Sequence, residues 1–163
     1  MSANGVLPAR VRKEIDGWTA RFPEGRHRSA VIGALHAAQH ANDGYLSVEL
    51  LNGVADYMNL PTIQVYEVAT FYSMFQTQPV GRHNVAICTN VSCMLRGAEE
   101  LVEHVENKLG IKLGESTDDG RIYLKKEEEC LAACCGAPMM MVDHQYHENL
   151  TPETVDKILD RLK

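Results

Sequence analysis

The sequence predicts an α/β chain built in two parts: a helical bundle over residues 1–80, then a small sheet with covering helices over 81–163. Three observations predict this. Apolar residues recur every three to four positions through the first half. At "QTQPVGRHN" (76–84) Pro79 and Gly81 interrupt that pattern. Beyond the break, short Val- and Ile-rich runs surround one long amphipathic helix.

The first helix is read from "VRKEIDGWTARF", where Val11, Ile15, Trp18 and Phe22 form one apolar stripe that Pro23–Gly25 ends. A second follows in "SAVIGALHAAQHA", with Val31, Ala34, Leu35 and Ala38 inward and Ser29 as its cap. "NDGY" (42–45) is a turn. The third helix starts at Ser47 and turns Val48, Leu51, Val54, Ala55 and Met58 inward. Asn59–Pro61 breaks it, and Thr62 caps a fourth, "IQVYEVATFYSMF". The last two helices superficially resemble a helix-turn-helix. The second of them, however, offers Ile63, Val65, Tyr66 and Val68 and no Arg or Lys, so it lacks the side chains that reach bases and phosphates. Phe71, Tyr72 and Phe75 are read either as core or as partner surface.

In the second half "HNVAICT" is a strand. A helix over "MLRGAEELVEHVENKLG" follows. Ala98, Leu101, Val102, Val105 and Leu109 form its apolar face, Glu99, Glu100 and Glu103 its polar one, and Gly110 its C-terminal cap. "STDDG" (116–120) is a turn, "RIYLKKE" and "PMMMVD" are strands, and "HENL" extends a hairpin. Thr151 caps a last helix, with Pro152 at its first position and Val155, Ile158, Leu159 and Leu162 inward.

Composition narrows the function. A hydrophobic content of 45% over 163 residues supports a real core, and the formal net charge of −6 with scattered basic residues argues against nucleic acid. No run reaches the roughly 18 apolar residues of a membrane span, and the first residues lack a signal-peptide core. A soluble intracellular protein is the expectation, in which disulfides are improbable. The seven histidines are dispersed. His83 and His104 read as surface residues, His144 and His147 lie on a hydrophilic turn, and none is assigned as a ligand.

Chemistry is concentrated in the five cysteines: Cys88, Cys93, Cys130, Cys134 and Cys135. Cys88 and Cys93 are spaced C-x4-C, and Cys130 and Cys134 C-x3-C. Each pair follows a predicted strand, so two loops at one sheet edge can meet around a metal. Cys93 is expected to open a helix, where free N–H groups favour a thiolate. Four thiolates suit an iron–sulfur cluster or zinc, and the spacing alone leaves both open, along with unrelated thiols. No C-x-x-C is present for thioredoxin-type exchange. Glu127, Glu128 and Glu129 precede Cys130. Turned inward, they would oppose adding an electron to an anionic cluster; turned outward, they are a solvated turn.

The stretch "CTNVSCMLRGAEELVEHVENKLGIKLGESTDDGRIYLKKEEECLAACCGAPMMMVDHQYHENLTPETVDKILDRL" resembles the thioredoxin-like 2Fe-2S ferredoxin subunit of bacterial respiratory complex I, the small peripheral member of its NADH-dehydrogenase module. "LPTIQVYEVATFYSMF" resembles the helical region of the same family. The resemblance implies a thioredoxin-like domain over 81–163 and one 2Fe-2S cluster on Cys88, Cys93, Cys130 and Cys134. Cys135 is then the spare thiol, expected as a small buried hydrophobe, with a reserve ligand for Cys134 as its rival role. It also implies a flavoprotein partner that carries FMN, binds NADH and holds a 4Fe-4S cluster. Electrons would pass singly between that flavin and a low-potential cluster here. The assembly would be peripheral on the cytoplasmic side of the membrane; the aromatic run Tyr66, Phe71, Tyr72 and Phe75 beside the linker is read as making residues 1–80 a docking element. The protein would be an NADH:quinone oxidoreductase subunit with no complete active site of its own. Related subunits of NAD-linked hydrogenases and formate dehydrogenases are the alternative parents. A structural zinc module and a free electron shuttle are alternatives of other classes.

Overall fold

The computed structural model describes residues 6–126 and 130–163. It divides into two compact units, Met1–Pro79 and Val80–Lys163.

The first unit is helical. Helices α1 (Ala9–Thr19), α2 (Val31–His40), α3 (Val48–Tyr57) and α4 (Thr62–Phe71) enclose a core that includes Val11, Ile15, Ala34, Leu35, Leu51, Val54, Val65 and Phe75. Periodicity places the helices well and their ends less well. Ser29 lies in a 3-10 turn, His27–Ala30, and α2 starts at Val31 with no side-chain cap. Pro61, not Thr62, occupies the cap position of α4. Ser47 does cap α3, its hydroxyl accepting from the Leu50 N–H. Val48 is exposed rather than inward, because it begins the first turn of α3, and the buried apolar residues there are Leu46 and Leu50. Leu46 is fixed by its N–H to the Gln76 carbonyl.

One buried polar side chain closes this unit. Gln39 on α2 donates from Nε2 to the Met74 carbonyl at 3.0 Å and accepts the Gln76 N–H at 2.8 Å. The segment after α4 thereby satisfies its backbone inside the bundle, where an unpaired group would cost about 1–3 kcal/mol. Phe75 sits inside as a result, against the His36 ring at 5.0 Å.

In the second unit the sheet runs β2 (Ile122–Leu124), β1 (His83–Ile87), β3 (Met140–Val142), β4 (Gln145–His147). The β1–β2 pair is parallel, with His83 opposite Ile122, and the other two pairs are antiparallel. Strand alternation sends Val85, Ile87, Ile122, Leu124, Met140 and Val142 into one core, which Leu101, Val105, Val155 and Leu159 complete from α6 (Ala98–Leu109) and α7 (Pro152–Leu159). The helix read from residue 94 is in fact two. A short α5 (Val91–Met94) is separated from α6 by Gly97 at φ 87°, a backbone region that glycine tolerates. At Gly81 the backbone of Ile122 comes so close that a Cβ would overlap it.

Two histidines do more than decorate the surface. His104 Nε2 lies 2.8 Å from Asp156 Oδ1, joining α6 to α7. His83 Nδ1 lies 2.6 Å from Asp143 Oδ2, and Nε2 lies 2.9 Å from the main-chain oxygen of Lys163. Both neighbours only accept, so both ring nitrogens carry protons and the imidazolium is the form that fits. The Asp143 hydrogen bond chiefly raises the His83 pKa, against the opposing effect of burial. A raised folded pKa stabilises below the unfolded value of about 6.5 and is lost as pH rises through the folded one. His83→Gln should therefore destabilise the protein more near about pH 6 than near about pH 9 in urea denaturation. An equal loss at both would refute the double-donor imidazolium.

Candidate functional site

The cysteine segments are placed by β1 and β2. Because these strands are parallel neighbours, the backbone leaves both at the same end of the sheet. Cys88 follows β1 at once, and its N–H donates to the Met139 carbonyl at 3.1 Å. Cys93 lies on α5. Cys130 comes after β2, and Cys134 and Cys135 begin a 3-10 turn, Cys134–Gly136.

Cys88 and Cys93 are buried, 2% and 1% exposed, in a small cluster with Ala98, Leu131, Ala137 and Met139. Leu131 and Ala137 come from the second segment, so the two segments pack on each other. The Cys93 thiol is pushed up to about 11, by burial first and then by its hydrogen bond with Cys88; the Met139 N–H opposes this, and the Cys134 thiol adds a smaller repulsion. The expected lowering at a helix start does not occur. A four-residue helix has little dipole, and burial disfavours the thiolate until a cation compensates it.

The other three cysteines are exposed. Cys130 Sγ accepts the Ala132 N–H at 3.3 Å. Cys135 is not the buried hydrophobe expected. In a 3-10 turn, successive side chains do not alternate as in an extended strand, and both Cys134 and Cys135 reach the surface. The structure thus joins Cys88 with Cys93 and brings Cys134 within electrostatic range of Cys93. Among the described residues, no three His, Cys, Asp or Glu side chains are already gathered as a metal site. Glu127–Glu129 lie outside the described residues.

The backbone around the sulfurs is tight. A Cβ on Gly136 would overlap the Glu148 side chain, and the Gly136 carbonyl accepts the Asn149 N–H at 2.6 Å. Gly136 is therefore a point of close approach, with Glu148 as the neighbour. Arg96, which the sequence reading gave no role, donates from Nε to the Ala137 carbonyl at 3.1 Å. Its signal was position: it is the one charged residue in 88–98 and 130–142. The donor chemistry fits an iron–sulfur cluster: soft sulfurs with backbone N–H groups directed at Cys93 and Cys130.

Comparison with known proteins agrees with this chemistry. The family model of the thioredoxin-like [2Fe-2S] ferredoxin matches residues 15–163. The chain belongs to that family. A Rickettsia felis protein, named as a subunit of NADH-quinone oxidoreductase, is 41% identical over 98% of this chain and 95% of its own length. A Rhizobium meliloti subunit of the same-named enzyme is 43% identical over 94% of this chain and 89% of its own. In fold, this ferredoxin matches an air-oxidised NAD+-reducing [NiFe]-hydrogenase with a TM-score of 0.67 at 23% identity, covering 78% of this chain and 22% of that one. Among the described residues, no helix is long and apolar enough to cross a membrane.

The burial pattern has a direct chemical readout. In metal-free, reduced, folded protein, iodoacetamide at neutral pH should modify Cys130, Cys134 and Cys135 quickly. Cys88 and Cys93 should react only on unfolding. Mass spectrometry counts the adducts, and fast modification of all five would contradict the buried pair.

Proposed function

We propose that Cys88, Cys93, Cys130 and Cys134 ligate one 2Fe-2S cluster, and that this ferredoxin exchanges single electrons with the FMN of a flavoprotein subunit in an NADH:quinone oxidoreductase. The observation that carries the reading is the parallel β1–β2 pair, which delivers both cysteine segments to one end of the sheet. When bound, such a cluster supplies one-electron storage beside a two-electron flavin. The ferredoxin's part is to hold the sulfurs, direct N–H groups at them and limit water at the buried pair. NADH, FMN and a 4Fe-4S cluster belong to the partner in this reading. The assembly lies on the cytoplasmic side of the membrane.

Relatives named for the quinone-linked enzyme, at 41% and 43% identity, favour that parent over a hydrogenase, where the likeness is one of fold. The protein purified without oxygen should contain about two iron and two acid-labile sulfide per polypeptide. One zinc and no sulfide would point instead to a structural zinc module. After reduction with dithionite, Cys135→Ser should keep the parental electron paramagnetic resonance signal, and Cys134→Ser should lose or change it. The reverse result would move the fourth ligand to Cys135.

The helical unit is read as the docking element. Ile63 and Phe71 on α4 are 64% and 79% exposed, and the rings of Phe71 and Tyr72 meet edge to face at 4.9 Å. Aromatic anchors of this kind are enriched at interfaces. Phe71→Glu should reduce co-purification of the flavoprotein at least about tenfold while the cluster signal persists. Undiminished co-purification would remove Phe71 from the interface.

A further inference from the structure

We propose that Arg96 is a positioning residue for the cluster: its guanidinium straps the Cys134 segment to the Cys93 helix and sets a permanent positive charge at the rim of the sulfur site. The inference rests on the ligand reading above and concerns how that site is held and tuned.

The strap is visible as geometry. Arg96 follows α5, and its N–H donates to the Cys93 carbonyl at 3.0 Å. Its side chain then crosses to the other segment, where Nε donates to the Ala137 carbonyl at 3.1 Å. Ala137 lies three residues beyond Cys134, and two before Met139, whose N–H faces Cys93 and whose carbonyl takes the Cys88 N–H. One side chain thus spans from the segment carrying the first cysteine pair to the segment carrying the second.

The charge argument comes from the composition of the two segments. Residues 88–98 and 130–142 contain a single charged side chain, Arg96. Two carboxylates lie against glycines of these segments: Glu148 against Gly136 and Glu100 beside Gly97. A four-thiolate cluster is anionic and becomes more so on reduction. A guanidinium at its rim therefore stabilises the reduced form, and the two carboxylates oppose it. Arg stays protonated across the working pH range, so this contribution does not titrate.

Arg96→Gln and Arg96→Lys separate the two parts in the cluster-loaded protein. Potentials are read by redox titration with paramagnetic resonance detection, and cluster release by absorbance with a ferrous chelator. Arg96→Gln should lower the midpoint potential, and Arg96→Lys should leave it near the parental value. Both should release iron faster, about fivefold for one lost hydrogen bond. If Arg96→Gln loses the cluster and Arg96→Lys keeps it, rescue by the retained charge supports the same assignment. A parental potential in Arg96→Gln, or loss of the cluster from both variants, overturns the electrostatic part. Parental release rates in both overturn the strap. A parent protein without two iron and two sulfide fails the ligand reading instead, before either variant is compared.

Discussion

The parallel pairing of β1 with β2 is the constraint on which the site depends. Antiparallel neighbours would send the following segments to opposite ends of the sheet, and the two cysteine pairs could not meet. The pairing is held by Gly81, which lets the backbone leading into β1 touch that of Ile122, and by the core under both strands, where Val85 and Ile87 lie with Ile122 and Leu124. α6 and α7 complete this core. Arg121 ties the start of β2 to the end of α7, donating to the Leu159 and Leu162 carbonyls at 3.2 and 3.0 Å. Carbonyls at a helix C-terminus otherwise lack partners within the helix.

From that constraint the sulfur site acquires two unequal halves. Cys88 and Cys93 are set by rigid elements, one at a strand end and one on a helix, and both are buried. Cys130, Cys134 and Cys135 lie on less regular backbone and are exposed. Two of the five sulfurs are thus preset by strand and helix, and the other three are carried by the segment that follows β2. The hydrogen bonds that join the halves, Cys88 N–H to Met139 and Arg96 to Ala137, matter more here than their individual energies suggest. They fix the relative position of cysteine segments that no single element carries.

The helical unit obeys a different logic. Its interior is closed by Gln39, whose amide satisfies both a carbonyl and an N–H of the segment after α4. That segment turns Phe75 inward while Phe71 and Tyr72 remain outside. The aromatic run therefore divides between core and surface within five residues. Spacing alone offers no single answer, core or interface, for the whole run.

Local sequence was enough for the change from a helical half to a strand-bearing half and for the cysteine spacing, though it merged α5 with α6 and set the last strand a few residues late. These depend on periodicity, turn residues and caps such as Thr151 and Gly110, which act within one helical turn. The family was legible too, through motifs that run along the polypeptide. Long-range packing set the rest. Ser29 and Thr62 lost their expected cap roles to neighbouring backbone geometry, and Val48 was left outside the core. His83 and His104 gained partners sixty and fifty-two residues away. Burial reversed the expected thiolate preference at Cys93, and a 3-10 turn exposed Cys135 beside Cys134. Arg96 acquired its contact only when Ala137, forty-one residues distant, folded against it. Each of these depends on desolvation or on contacts between distant segments, and both arise only when the protein is packed.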